Sequence, residues 1–404
     1  MNILFLHRSF PAQFQFIAST LAQDSKNNVV FITNNDNIEI AGIKKLVYKV
    51  EDVEITDPTS YLNGYQSAVL HGQAAAEVAI NLKKEGFKPD IIYGHSGWGP
   101  TLFMKDVFPD VPLLCYFEWF ANAEGSDTGF DGTPINEYQR GGLRCANSQI
   151  LVDLYSCDAG LSPTNWQKSQ FPKEYHDKIK VIHDGVDTEF YKPNSDAKFV
   201  IRDKNIELSA KDEVITYATR GMEPYRGFPE FMKAVEKLLI KRPNAHFVIA
   251  GEDKVCYRGP LAEGTYKELM LKELNIDLNR VHFAGGLPYG EYLKLMQISS
   301  AHVYLTVPYV LSWSTLDAMS VGCCVVASNT QPVQEVIKDN YNGLLFDFYN
   351  IEQQVEKIEY ALDNKDKMTK IRNNARKTIV ENYALKDLLP KHIKYLNELI
   401  RLKP

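Results

Sequence analysis

Residues 301–328 read AHVYLTVPYVLSWSTLDAMSVGCCVVAS. The apolar run 301–306 has strand character, Ser312 or Ser314 can cap a helix, and Leu316 and Met319 fall at helical spacing before Gly322 stops the turn. A second apolar run follows at 323–327. Both runs are continuous rather than alternating, the pattern of parallel strands buried on both faces. The same alternation recurs along the chain. Runs at 2–7, 29–33, 90–94, 112–118, 159–163 and 180–183 fill the first half, and 213–219, 245–250, 280–284 and 343–346 join the two above in the second. A dozen strands exceed one compact sheet, so the 404-residue chain reads as α/β with two Rossmann-like halves. The break is expected in the polar stretch YKPNSDAKFVIRDKNIELSAKD, 191–212, with domains at 1–195 and 196–383.

Composition narrows the function classes. Lys and Arg total 45 against 51 Asp and Glu, a net charge of −6, which argues against a protein that coats nucleic-acid phosphates. The six cysteines include no Cys-x-x-Cys, and the adjacent pair Cys323 and Cys324 lacks zinc spacing, so a reducing compartment is expected. MNILFLHRSF lacks a signal peptide's long apolar run and basic lead, and no window approaches the ~20 apolar residues of a membrane span. A cytoplasmic protein is expected. The last forty residues hold eleven Lys and Arg against four acids, read either as a solvated helical face or as a peripheral contact with an anionic membrane.

Ligands of open α/β sheets bind beyond the carboxyl ends of strands. After the strand at 301–306, amides from Leu311 through Ser312, Trp313 and Ser314 to Thr315 are expected to face outward at a helix N-terminus, a place for phosphate. Asp317 lies a turn further in, where a carboxylate can take a sugar diol. In YATRGMEPYRGF, 217–228, Arg220 follows a strand and Arg226 comes six residues later, a pair of fixed-charge forks suited to a diphosphate. The plain alternative is two surface arginines paired to acids such as Glu223. In the first half, DIIYGHSGWGP, 90–100, sets His95 among Gly94, Gly97 and Gly99, where backbone can approach a ligand. PLLCYFEWF, 112–120, ends a strand at Glu118; a carboxylate there is either functional or bridged to Arg140 or Arg144. No P-loop, no zinc-protease motif, no Gly-x-Ser-x-Gly, no Gly-x-Gly-x-x-Gly and no Asp-x-Asp is present. A leaving diphosphate would have to be neutralised by arginines and a helix end rather than by a metal.

Four segments in order resemble the retaining glycosyltransferase family 4: VIHDGVDTEFYKP (181–193), ATRGMEPYRGF (218–228), LDAMSVGCCVVAS (316–328) and QPVQEVIKDNYNGLLFD (331–347). HRSFPAQF, GHSGWGPTLFMKDVFP and YFEWF are similar to the first domain of a bacterial subgroup of that family. The resemblance implies a GT-B fold, two Rossmann-like domains facing across a cleft, with a C-terminal helix at 384–404 crossing back to the first domain. It implies domain closure about 190–212 and a metal-independent transfer, with retention, from a UDP- or GDP-linked sugar. No cofactor is implied. The acceptor class stays open among glycan, lipid-linked, protein and small-molecule hydroxyls. Arg220 and Arg226 would hold the donor diphosphate, Asp317 its ribose, and Leu311, Ser312, Trp313 and Ser314 would meet the donor. Glu118 matches a position near the transferred sugar, and Glu118 or His95 could supply a missing polar contact. The departures are Tyr309 where the family has the first Glu of Glu-x7-Glu, Asp317 for the second, and Phe10-Pro11-Ala12-Gln13 for a Gly-rich loop. A loop at 125–142 is the expected acceptor selector, and Trp98, Trp119 and Phe120 could stack on a sugar. Two other readings are a sugar-nucleotide epimerase and a degenerate subunit that binds donor without turnover.

Overall fold

A computed structural model of the chain describes residues 1–50, 61–257, 259 and 261–402. It forms two compact units, Met1–Asp184 with Lys386–Pro404, and Gly185–Leu385. Each carries a parallel sheet between helices.

The first sheet contains β1 (Asn2–Leu6), β2 (Asn28–Thr33), β3 (Ile43–Val47), β4 (Ile91–His95), β5 (Leu113–Tyr116), β6 (Ala159–Ser162) and β7 (Ile179–Val181). Its order is β3-β2-β1-β4-β5-β6-β7. Side chains alternate across it with period two. Leu4, Leu6, Val30 and Ile32 pack with Ala75, Ala79 and Leu82 of the helix Leu62–Lys84, whereas Ile3, Phe5, Val29 and Phe31 pack on the other face with Ile17 and Leu21. That second face is completed by Leu388, Leu396 and Leu399 from the last helix, Leu385–Arg401. Full burial of one such leucine is worth about 1.5–3 kcal/mol. The C-terminal helix is therefore part of the first unit's core, as the GT-B resemblance implies.

Two further strands, β8 (Lys198–Ile201) and β9 (Ile206–Ser209), form an antiparallel hairpin in the second unit. The second unit's sheet contains β10 (Val214–Gly221), β11 (His246–Glu252), β12 (Val281–Gly285), β13 (Ala301–Tyr304), β14 (Val325–Ser328) and β15 (Leu344–Phe346), in the order β12-β11-β10-β13-β14-β15. The hairpin occupies the stretch expected as a linker. Phe199, Ile201 and Leu208 are buried from it into the second core, while Val200 and Glu207 face outward. Alternation inside four-residue strands leaves no long apolar run, so the segment reads as polar. The units change over at Asp184 and Gly185 instead, and again at Leu385 and Lys386. The two crossings lie side by side, because Val186 pairs with Ala384 and exchanges amide bonds of 2.8 Å with Tyr383 and Leu385.

The basic C-terminal run is divided between the two units. Arg372 donates to the Ser300 carbonyl at 2.7 Å, and Arg376 donates to the Tyr191 and Ser320 carbonyls, so both brace the second unit. Lys386 onward belongs to the first unit, and Lys403 lies outside the described residues. No helix among the described residues is long and apolar enough to cross a membrane.

Candidate functional site

In the second unit β10 has β11 on one side and β13 on the other, so the crossovers diverge there. Such a switch point opens a crevice at the strands' carboxyl ends. A cavity of about 490 Å³ lies there, with Arg220, Glu252, Tyr292, Ser312 and Ser314 on its wall. Gly251 forms its floor at φ +140°, and a Cβ there would stand 2.3 Å from the Thr219 carbonyl oxygen, so no larger residue fits. Arg220, at the end of β10, is exposed and makes no ion pair or hydrogen bond among the described residues. Glu252 beside it is engaged by Lys254, which holds its carboxyl below the usual range.

Arg226 sits behind. A small recess is lined by Arg220, Arg226, Tyr257, Tyr304 and Ser312, so the two arginines and the helix cap do converge. Arg226 is buried, and its Nη1 donates to the Tyr304 hydroxyl (3.0 Å), the Thr306 hydroxyl (2.7 Å) and the Val310 carbonyl (3.0 Å). Tyr257 adds a further side-chain hydrogen bond to the guanidinium. Glu223 is not at the surface. It is fully buried and accepts the amides of Cys256 (2.8 Å) and Tyr257 (3.1 Å), which ties the loop after β11 to the arginine loop. Tyr309 packs edge-on to Tyr225 and Tyr257, at 5.4 and 5.5 Å, and the Arg226 guanidinium lies 5.1 Å from the Tyr257 ring centre. An aromatic triad thus stands where the family pattern has a carboxylate.

Ser312 caps the helix Trp313–Val321, and its hydroxyl meets that of Ser314 at 2.9 Å. The expected row of outward amides is only partly realised. The Ser312 amide donates to the Tyr304 hydroxyl, and those of Ser314 and Thr315 turn back to Ser312. Leu311 is buried, Trp313 is 45% exposed, and neither lines the cavity. Asp317 also lies off its wall, within electrostatic reach of Tyr191 and Tyr292, and burial pushes its carboxyl well above the usual range. Glu252 and Tyr292 went unread in the sequence; Glu252 ends β11 and was accessible to the carboxyl-end rule, whereas Tyr292 comes from a helix flank and carried no signal.

The first unit repeats the arrangement at β1, flanked by β2 and β4. His95, closing β4, is buried; its Nδ1 meets the Ser96 carbonyl at 2.7 Å and its Nε2 stands 3.5 Å from Glu118. Glu118 accepts from Gln13 at 3.1 Å, whereas Arg140 pairs with Glu124. Two glycines expected to admit a ligand serve packing instead. A Cβ on Gly94 would strike Thr101 at 2.3 Å, and one on Gly99 would strike the Ala68 carbonyl at 2.0 Å.

Behind this loop Asp153 is buried and accepts the hydroxyls of Ser96 (2.7 Å) and Thr101 (2.8 Å). Burial pushes its carboxyl up to about 6, against those hydrogen bonds. A proton held more tightly in the folded than the unfolded chain stabilises at low pH, and that stability fades between about pH 4 and 6, by about 3 kcal/mol. Asp153→Asn is expected to remove this slope, measured as the difference in unfolding free energy between pH 4 and 7 for the two proteins.

Among the described residues no cluster of three or more His, Cys, Asp or Glu side chains is placed to hold a metal ion. Comparison with known proteins supplies the family. Residues 25–191 match the model of the glycosyl transferase family 4 group, and residues 200–378 that of glycosyl transferases group 1. The D-inositol 3-phosphate glycosyltransferase of Corynebacterium aurimucosum is 23% identical over 68% of this chain and 64% of its own length. The chain spans about half to two thirds of the length of that relative and of another curated relative it matches. Among solved structures, Anabaena HepE in complex with UDP-glucose aligns with TM-score 0.73 and 16% identity over 98% of this chain and 100% of that one. Sucrose-phosphate synthase from Thermosynechococcus elongatus aligns with TM-score 0.75 and 14% identity over 99% of each. Two consecutive models account for most of both halves, and the chain belongs to the glycosyltransferases of GT-B fold, with a family 4 group domain followed by a group 1 domain.

Proposed function

We propose that the protein transfers a sugar, with retention and without a metal ion, from a UDP- or GDP-linked donor to an acceptor hydroxyl. The observation that carries this is the convergence of Arg220, Arg226 and Ser312 on one recess at the switch point of the second unit. Arg226 is locked by three hydrogen bonds, so its charge needs no reorganisation as the leaving diphosphate develops. Arg220, without a partner of its own among the described residues, closes the clamp. Asp317, one turn into the capped helix, is assigned to the ribose. Leu311, Ser312, Trp313 and Ser314 are assigned to the donor side, with the two serine hydroxyls as direct contacts. In the first unit, Glu118 and His95 face the acceptor hydroxyl, and the leaving phosphate itself helps to remove its proton.

The test is thermal denaturation with UDP, GDP, ADP and their sugars, in EDTA and in Mg²⁺. At a hundredfold excess over Kd one nucleotide is expected to add about 2.7 kcal/mol, equally in both buffers. Glu118→Gln should keep that shift and lose transfer and donor hydrolysis. Absence of any nucleotide shift would overturn the donor site, and full activity in Glu118→Gln would remove Glu118 from the reaction.

A further inference from the structure

The carboxyl end of β1 holds a cation with no acidic partner among the described residues. Arg8 is half-buried, and its guanidinium lies 5.8 Å from the centre of the Trp98 ring. It makes no ion pair or side-chain hydrogen bond among the described residues; only its carbonyl is used, accepting from the Thr33 hydroxyl and the Asn34 amide. The acids nearby in sequence are committed elsewhere: Asp36 and Glu39 both pair with Lys45. A half-buried guanidinium without an acidic partner among the described residues is available to an anionic ligand.

Two buried histidine rings stand in the same cluster. His7 and His95 lie 4.7 Å apart edge-on, the Nε2 of each is buried, and that of His95 stands 3.5 Å from Glu118. Burial, with His95 and Arg8 nearby, holds His7 well below its usual pKa, so its ring is neutral. Its Nδ1 accepts the Ser9 amide at 2.8 Å, which puts the proton on Nε2 and makes that atom a donor. The Gln13 side chain, which also donates to Glu118, lies alongside as a hydrogen-bonding neighbour of the His7 ring. Trp98, 44% exposed, stands beside them, so the cluster combines an aromatic side chain, a cation and a buried donor.

We propose that this cluster is the acceptor subsite and that the acceptor carries an anionic group, a phosphate or a carboxylate, gripped by Arg8 and His7. Only the word acceptor rests on the transferase reading; the anion site stands on the first unit alone. Arg8 offers a fork to two oxygens, His7 adds one donor, and Trp98 supplies a surface for the sugar ring.

The experiment is calorimetric titration of the full chain with glucose 6-phosphate, glucuronate, inorganic phosphate and glucose. It is run on the parent and on Arg8→Gln, with UDP titrated into both as a measure of the other unit. One of the two charged sugars is expected to bind the parent, glucose at least tenfold more weakly, and Arg8→Gln should lose at least tenfold for the charged sugar alone. Preference for glucose 6-phosphate assigns a phosphorylated acceptor, and preference for glucuronate a carboxylated one. The proposal is overturned if glucose binds as well as the charged sugars, if Arg8→Gln binds them unchanged, or if none binds the parent. Unchanged UDP binding in Arg8→Gln shows that the variant is folded. Charged-sugar binding that depends on Arg8, in a protein that does not bind UDP, would sink the transferase reading and leave the anion site intact.

Discussion

Arg220→Ala is expected to weaken UDP binding at least about tenfold and to lower kcat/KM about a hundredfold or more, with its melting temperature close to that of the parent. Arg220 is exposed at the end of β10 and forms no ion pair or hydrogen bond within the described residues, so truncation breaks no internal contact. Yet it lines both the cavity and the recess behind it, where its loss leaves Arg226 as the single guanidinium facing a diphosphate. Titration with UDP, steady-state kinetics and a melting curve on the same preparation check all three parts. A variant that binds UDP normally would remove Arg220 from the donor site.

Glu223→Ala should show the reverse order of effects: a loss of about 3 kcal/mol of stability, with activity falling as a consequence. The Glu223 carboxylate is fully buried and accepts two backbone amides, at Cys256 and Tyr257. Alanine leaves those donors unpaired and opens a cavity beneath the loop. Tyr257 is also the ring against which Arg226 lies, so the slackened loop reaches the recess. Urea unfolding of the variant measures the loss. Stability equal to that of the parent would show that the two amides find other acceptors at no cost.

Much of this architecture is legible from residue pattern alone, for a physical reason. Strands buried on both faces must be apolar throughout, so the central strands, 214–219 or 301–304 for example, announce themselves. Edge elements need not be. IKKLV at β3 presents Lys44 and Lys45 among its five residues, and the β8–β9 hairpin buries alternate side chains only. Both therefore read as polar loop. The carboxyl-end rule led to Arg220, Arg226, Ser312, His95 and Glu118, because strand ends can be located before any packing is known. What it cannot supply is the direction of a side chain. Glu223 looked like a surface partner for arginine and is a buried brace; Gly94 and Gly99 looked like room for a ligand and are room for Thr101 and Ala68. Tyr309, read as a missing carboxylate, acquires a role only when Tyr225 and Tyr257 are brought beside it.

The paired crossings at Gly185 and Leu385 make the second unit an insertion within the first, entered and left through neighbouring backbone. For anyone wishing to work on fragments, the two halves are unequal. The segment 185–385 begins and ends at one spot and can be cut out as a continuous piece without severing its sheet. A piece ending at 184 lacks Leu388, Leu396 and Leu399, and so exposes one face of its own sheet. Cloning the front half by itself would therefore yield a protein prone to aggregate, unless the last seventeen or so residues were grafted back through a short linker.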